Sequence, residues 1–245
     1  MGINGGDFMK KWIGLVPKYK VGDPEKSCMN DEIIVGHTYA QRIIEAGCTP
    51  ISLVPVNGWV TEDALQACEC FLVQGGPEFY PYHFQVIHHV VTHHKKYLGI
   101  CLGDQLIYEY FEMKRRVEEQ GYKGDLVKAI CDYLENQLKG ASILESVNDH
   151  YSAFPARGHE DSAKHDVNIV PGSLLHRVLN RDTIRLCSFH YKSTPSSQTL
   201  VSINAWSALG DGVVEGTEYG DNILGIQGHP EVDDLLPELF KFLAE

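Results

Sequence analysis

Short apolar runs alternate with longer amphipathic segments through the first half of the chain. The runs have the length of buried strands, and in the longer segments apolar residues recur at helical spacing. The predicted strands span residues 12–17, 49–54, 70–73 and 97–100. The predicted helices span residues 31–46, 61–67, 84–94 and 102–111, and residues 18–30 are predicted as a polar loop. Such alternation is typical of an α/β protein with a doubly wound, mostly parallel sheet.

The pattern changes after residue 111. Residues 113–139 are highly charged but keep apolar residues at helical spacing, which predicts a helical insertion. Two interpretations remain open: a solvated helix packed on one face, or a lid or dimerisation element. The remaining predicted elements are a strand at 141–144, short strands and turns from Val147, a strand at 223–227 and a terminal helix from Asp234. The length is consistent with a single domain over residues 1–245.

A cysteine lies where the fourth predicted strand runs into the fourth predicted helix. Cys101 stands between Gly99 and Gly103 in a G-x-C-x-G frame, the cysteine version of a nucleophile elbow. Side chains beside such a sharp turn would clash, which explains a glycine on both sides. The helix N-terminus favours a thiolate, and the N–H of Leu102 is placed to donate to an oxyanion. By itself the frame is also compatible with a packed core cysteine.

A second motif near the end of the chain favours catalysis. The apolar run at 223–227 delivers His229, and Glu231 follows two residues later. A cysteine nucleophile needs a base to accept and return its proton, and that base needs a carboxylate to orient it. Cys101, His229 and Glu231 supply these three parts, so they are the predicted catalytic residues.

Both motifs carry a family resemblance. Gly-Ile-Cys-Leu-Gly-Asp-Gln at 99–105 and Gln-Gly-His-Pro-Glu at 227–231 closely resemble the class I glutamine amidotransferase superfamily, and the likeness runs from about Trp12 to the C-terminus. Four further segments resemble the γ-glutamyl hydrolase branch: residues 157–159, 165–167, 169–175 and 188–192. The resemblance implies a flavodoxin-like, class I glutamine amidotransferase fold for this domain.

The resemblance also implies roles for further residues. The turn after strand 70–73 looks like the one that supplies a second oxyanion N–H, here from Gly76. Gln105 and the segment Ser188, Phe189 and His190 look like the part of the family that holds a glutamyl head group. The implied chemistry is attack of a cysteine on a γ-glutamyl carbonyl, followed by hydrolysis of the thioester. That chemistry requires no metal and no organic cofactor.

Three functions remain open from the sequence. The first is a hydrolase acting on a small-molecule γ-glutamyl amide or peptide. The second is a glutaminase subunit that passes ammonia to a separate synthase, which would then be its partner. The third is a catalytically silent binding module, against which the intact triad counts. A homodimer is compatible with each of them.

Composition excludes several classes of partner. The net charge of −12 leaves no basic excess to neutralise nucleic-acid phosphates or to bind an anionic membrane. No apolar segment approaches the length of a membrane span, and the Gly-rich start does not resemble a signal peptide. Seven cysteines without disulfide or zinc-motif spacing indicate free thiols in a reducing cytosol. The predicted location is therefore cytoplasmic.

The chain contains twelve histidines, a residue type that often binds metal ions. His89 and His93 have helical i, i+4 spacing, but Val90 stands where a zinc metalloprotease carries Glu. We therefore interpret these two as part of a solvated or core-edge face, with no metal site. His159 and His165 match positions in the hydrolase branch without a role that the sequence defines.

Overall fold

A nine-stranded sheet with helices packed on it organises the computed structural model, which describes residues 11–22, 31–148, 150, 160–232 and 236–245. The strands are β1 (Trp12–Val16), β2 (Lys18–Lys20), β3 (Glu32–Ile34), β4 (Thr49–Ser52), β5 (Cys70–Val73), β6 (Lys96–Ile100), β7 (Glu145–Ser146), β8 (Lys164–Ile169), β9 (Thr183–Cys187), β10 (Lys192–Ser193), β11 (Ser202–Ser207), β12 (Val214–Tyr219) and β13 (Ile223–Ile226). The α-helices are α1 (His37–Glu45), α2 (Glu62–Ala67), α3 (Pro81–His93), α4 (Leu102–Glu119), α5 (Leu126–Tyr133), α6 (Leu174–Leu179) and α7 (Pro237–Ala244).

The strand order explains how the two predicted motifs meet. The main sheet runs β4-β1-β5-β6-β13-β12-β11-β8-β9. Its first five strands are mutually parallel, and each later neighbour pairs antiparallel. Strands β6 and β13 are adjacent, with Ile100 paired to Ile226, so both motifs leave the sheet at the same edge. The predicted α/β fold with a doubly wound sheet is confirmed, and the sheet is mixed.

Two large apolar clusters of described residues pack against the sheet. One contains buried side chains of α3, α4 and α5, and the other contains those of α1, α6 and α7. Every residue of β5 is buried, as expected for a parallel strand covered on both faces. None of the helices within the described ranges is both long and apolar enough to cross a membrane.

The predicted helix at 31–46 is wrong over its first third. Residues 32–34 form β3, which pairs antiparallel with β2 inside the predicted polar loop, and α1 begins only at His37. The Tyr19 hydroxyl donates to the Asp31 carboxylate over 2.6 Å and reinforces this hairpin. Hydrophobic spacing within one segment carries no information about such a partner strand. Residues 23–30 of the predicted loop lie outside the described residues.

Other boundaries also differ from the prediction. Helix α4 extends to Glu119, so the predicted insertion at 113–139 begins inside it and continues through α5 into a π-helical turn, Leu134–Leu138. The strand predicted at 141–144 does not form, and the two-residue β7 follows it. Helix α6 was not predicted. Helix α7 begins at Pro237, while the predicted start, Asp234, lies outside the described residues.

Candidate active site

Cys101 lies at the apex between β6 and α4. Its φ of 56° and ψ of −105° fall in a region that L-residues rarely occupy. A Cβ on Gly99 would lie 2.3 Å from the carbonyl oxygen of Gly103, and one on Gly103 would lie 2.4 Å from that of Val73. Backbone blocks both positions, so the turn requires glycine on either side of the cysteine.

His229 and Glu231 follow β13 and lie beside Cys101. The Nδ1 of His229 is 2.7 Å from Oε1 of Glu231, and all three side chains are buried. Burial alone lowers the pKa of His229, but the Glu231 carboxylate and a hydrogen bond with Cys101 outweigh it and raise that pKa to about 10. The geometry therefore brings the three predicted catalytic residues together, with the imidazole between the thiol and the carboxylate.

Tyr39 of α1 also reaches this cluster, and the sequence reasoning missed it. Its hydroxyl accepts a hydrogen bond of 3.2 Å from the Gly75 N–H. Burial and the charge of Glu231 raise the pKa of Tyr39 well above its ordinary value, so the phenol stays neutral. A Cβ on Gly75 would lie 2.9 Å from Cε1 of His229, which explains the first glycine of the Gly-Gly turn. Helical spacing around Tyr39 shows an apolar face but not what that face contacts.

The two predicted oxyanion donors are neighbours. A Cβ built on Gly76 would lie 3.3 Å from Cδ2 of Leu102. Within the described ranges, neither the Gly76 N–H nor the Leu102 N–H donates a hydrogen bond to another protein atom. Both donors are thus available to a ligand beside Cys101, and the oxyanion role remains a prediction.

The predicted head-group segment lies against the triad. The carbonyl oxygen of Phe189 is 3.9 Å from Sγ of Cys101. The centroid of the Phe189 ring is 5.9 Å from the centroid of the His229 ring. Ser188 donates its hydroxyl to the carbonyl oxygen of His150 over 3.3 Å. The imidazole of His190 is buried, and its Nε2 lies 3.5 Å from Oε1 of the buried Glu215.

Gln105 connects the elbow helix to the same segment. Its side-chain amide donates to the carbonyl oxygen of Lys192 over 2.8 Å and to Oε1 of Gln227 over 3.0 Å. The 188–192 segment, α4 and the end of β13 are therefore tied together around one side chain. Residues 157–159, which carried part of the family resemblance, lie outside the described residues.

A cavity of about 600 Å³ opens beside Leu102 and Gln105. The π-helical turn and the loop after it form one wall, with Leu134, Glu135, Leu138 and residues 140–144. The insertion thus contributes to a cavity next to the candidate nucleophile. The apolar face of α5, with Val127 and Ile130, packs in the same core as α3 and α4 of its own chain.

The family match and the fold of similar solved structures support a cysteine-type hydrolase domain of the class I glutamine amidotransferase kind. A family model described as Peptidase C26 matches residues 82–231, which is more than half of the chain, and the chain belongs to that family. No curated protein matches the chain.

Solved structures of similar fold agree with this assignment. The glutaminase domain of Trypanosoma brucei CTPS with bound acivicin is 17% identical, with a TM-score of 0.62 and coverage of 96% of this chain and 93% of that one. A glutamine amidotransferase from Thermotoga maritima is 15% identical, with a TM-score of 0.53 and coverage of 96% and 90%. PurLQS from Thermotoga maritima is 13% identical, with a TM-score of 0.54 and coverage of 96% and 98%. Identities this low support the fold alone.

Proposed function

We propose that this protein hydrolyses the γ-glutamyl amide bond of small molecules through a glutamyl thioester on Cys101. The observation that carries the proposal is the buried arrangement of Cys101, His229 and Glu231 beside a cavity large enough for an organic leaving group. The substrate's glutamyl head group is assigned to Gln105 and the 188–190 segment, as the family resemblance implies.

In the first half of the reaction, the Cys101 sulfur attacks the γ-carbonyl carbon and a C–S bond forms. The carbonyl oxygen takes up negative charge, which the N–H groups of Gly76 and Leu102 stabilise. The C–N bond then breaks, and His229 donates its proton to the departing nitrogen. Glu231 stabilises the imidazolium before that transfer, which agrees with the raised pKa of His229.

In the second half, water replaces the released amine. The now neutral His229 accepts a proton from this water as its oxygen attacks the thioester carbon. The C–S bond breaks, the γ-carboxyl group of glutamate is released, and Cys101 and His229 recover their starting protonation. The sum is one water consumed for one amide hydrolysed.

The size and lining of the cavity favour an amine with a carbon skeleton as the leaving group. Ammonia, released from glutamine, needs no pocket, whereas about 600 Å³ accommodates a small organic molecule. Leu134 and Leu138 contribute apolar side chains to the lining, which also includes Glu78, Glu109 and Glu135. These features support hydrolysis of γ-glutamyl amines or peptides.

A glutaminase subunit serving a separate synthase is the second candidate. It is favoured by the fold shared with the glutaminase domain of Trypanosoma brucei CTPS and with PurLQS. In that case free glutamine is the substrate, and turnover depends on the synthase partner.

The two candidates are separated by an assay of the isolated chain on glutamine, γ-glutamyl dipeptides and γ-glutamyl alkylamines. We expect partner-independent turnover of at least one γ-glutamyl amine or peptide, and a glutamyl adduct on Cys101 in intact-protein mass spectra. The Cys101→Ala variant is the matched control and should lose about 10⁴-fold or more in kcat. Turnover confined to glutamine in the presence of a synthase would support the second candidate. Retained activity in Cys101→Ala would overturn both.

A further inference from the structure

Three imidazoles converge on a buried carboxylate behind the 188–192 segment. The group, called the histidine–glutamate cluster below, consists of His150, His165, His190 and Glu215. From Oε1 of Glu215 the distances are 2.9 Å to Nδ1 of His150, 3.3 Å to Nε2 of His165 and 3.5 Å to Nε2 of His190. Glu215 is fully buried, and His150 and His190 are nearly so. Such a buried group is stable only if its lone pairs and charge are matched by a partner.

The ring nitrogens that do not face Glu215, called the outward nitrogens below, define the tautomers of two of the imidazoles. Nδ1 of His165 is 3.0 Å from the carbonyl oxygen of Asp166, and Nδ1 of His190 is 3.0 Å from that of Lys192. A carbonyl oxygen only accepts hydrogen bonds, so both outward nitrogens carry the proton. In the neutral tautomer the lone pair of each ring then points at Glu215, as in metal sites where histidines donate their second N–H to protein acceptors.

His150 also has one ring nitrogen next to a protein acceptor and the other next to Glu215. Its Nε2 lies 2.8 Å from a carboxylate oxygen of Asp211, and its Nδ1 faces Glu215. The inward nitrogens of all three histidines are within ion-pair distance of Glu215, but within the described ranges none of them, and neither Glu215 oxygen, makes a well-directed hydrogen bond. The ligand atoms of His150, His165 and Glu215 lie within 4.8 Å of one another, and the buried carboxylate is stabilised by positive charge there.

We propose that His150, His165 and Glu215 of the histidine–glutamate cluster bind a Zn²⁺ ion. Their two imidazole nitrogens and one carboxylate oxygen lie within 4.8 Å of one another and form a donor set that suits zinc. With Zn–N and Zn–O bonds of about 2.0–2.2 Å, neighbouring tetrahedral ligand atoms lie about 3.3 Å apart, close to the separations from Glu215 to His150 and His165. The Nε2 of His190, 3.5 Å from Oε1 of Glu215, lies beside this group.

The position of the cluster gives this ion a function. His190 belongs to the segment in which the Phe189 carbonyl oxygen lies near Cys101 and the Lys192 carbonyl oxygen accepts from Gln105. The ion would fix Glu215, against which His190 lies, and so hold this wall of the candidate active site in place. It would also link β8, through His165, to β12, through Glu215.

A second group of possible ligands makes a weaker site and serves as a control. It comprises Glu62, His89 and His93 on α2 and α3. Glu62 is exposed, the two rings stack at 4.1 Å, and Nδ1 of His93 is already 3.0 Å from the His89 carbonyl oxygen. Substitution at His93 should therefore leave zinc binding unchanged.

The test uses the untagged full chain after removal of metal with a chelator. Zn²⁺ is titrated against a chromophoric chelator, and the expected result is one high-affinity equivalent per chain for the wild type and for His93→Ala. His165→Ala and Glu215→Gln should each weaken binding about 100-fold or more, because each removes a ligand. The Co²⁺-loaded wild type should show the intense visible bands of a tetrahedral ion.

Thermal unfolding separates lost ligands from a lost fold. Zn²⁺ should raise the Tm of the metal-free wild type and of His93→Ala, but not that of folded His165→Ala. If the ligand variants do not fold, the stoichiometry and the Co²⁺ spectrum of the wild type decide. Absence of a high-affinity equivalent, a six-coordinate Co²⁺ spectrum, or unchanged affinity in His165→Ala would overturn the proposal and leave protons as the bridging charges. None of these measurements uses catalysis, so their failure leaves the proposed function untouched.

Discussion

Cys101 has a backbone conformation that costs energy and that its neighbours enforce. Its positive φ of 56° is maintained by a 2.9 Å hydrogen bond from its N–H to the Ile226 carbonyl oxygen and by the close contacts at Gly99 and Gly103. A side chain in this position points away from both the strand and the helix. The strain therefore exposes the sulfur to His229 and to the predicted oxyanion donors, which a relaxed turn would not do.

His229 and Glu231 should differ in how much they contribute. The imidazole transfers protons directly, whereas the carboxylate only orients and stabilises it. We expect His229→Ala to be nearly as inactive as Cys101→Ala. Glu231→Gln should retain about 10- to 100-fold more activity than either, because the orienting member of a triad is the least damaging to lose. Single-turnover kinetics on a γ-glutamyl substrate measure the ranking, and a Glu231→Gln variant as inactive as Cys101→Ala would contradict it.

The interaction between Glu231 and His229 also predicts a shift in the pH dependence of kcat/KM. The Glu231 carboxylate helps to raise the pKa of His229 to about 10, so the imidazolium persists at neutral pH. Removing that charge lowers the pKa of His229. We therefore expect the alkaline limb of kcat/KM to move to lower pH in Glu231→Gln. An alkaline limb that stays in place would show that His229 does not carry the essential proton.

Ionisation of Glu109 should decrease the free energy of unfolding, whereas ionisation of Glu112, on the same helix α4, should increase it. Burial raises the pKa of Glu109 to about 8, so the folded state binds its proton more tightly than the unfolded chain does. The contribution of Glu109 to the free energy of unfolding is therefore lost as pH rises from about 4.5 to about 8. We expect Glu109→Gln to raise the Tm at pH 9 by about 2–6 °C and to change it little at pH 5.

Glu112 is the matched control on the same helix. Burial opposes its ionisation, but hydrogen bonds from Arg115 and Arg116 outweigh burial and lower its pKa. Its contribution is present above the ordinary carboxyl pKa and is lost as pH falls. Glu112→Gln should therefore lower the Tm at pH 9, and calorimetry at pH 5 and pH 9 compares both variants. A Glu109→Gln variant that is less stable than the wild type at pH 9 would contradict the assignment.

At the scale of elements, the sequence could predict those features that depend on residues close together in the chain. Continuous apolar runs predicted β5 and β6, and the glycines around Cys101 predicted the turn between β6 and α4, because both depend on neighbouring residues. The β2–β3 hairpin was missed because its strands are stabilised by each other. The strand expected at 141–144 is the opposite error, because it was predicted and does not form. Its apolar residues instead line the cavity beside Leu102.

The cavity wall supplied by the π-helical turn yields a prediction for this element. Leu134 and Leu138 contact the cavity, whereas Asn136 between them is exposed. We expect Leu134→Ala combined with Leu138→Ala to lower kcat/KM about 10-fold for a γ-glutamyl amine with a bulky leaving group, and much less for glutamine. Asn136→Ala should leave both values unchanged. Equal losses on both substrates would show that the wall does not contact the leaving amine.

At the scale of the whole molecule, distant segments build the site. The antiparallel half of the sheet brings β8 and β12 behind the 188–192 segment, and with them His165 and Glu215. These residues stand far apart in the sequence and follow no ligand-spacing motif, so the cluster could not be predicted from the chain. The proximity of Cys101, His229 and Glu231 could be predicted because a recognisable turn holds the cysteine and one short motif holds the other two.

The packing of the insertion predicts that a single chain is catalytically complete. The π-helical turn of the insertion lines the cavity beside Leu102, and the apolar face of α5 is already buried against α3 and α4 of the same chain. That face is therefore not available to a second subunit. We expect the specific activity on a γ-glutamyl amine to stay constant under about 100-fold dilution, while sedimentation velocity gives the mass of one chain at the lowest concentration. Activity that falls on dilution, in parallel with dissociation of a dimer, would show that a partner chain completes the site.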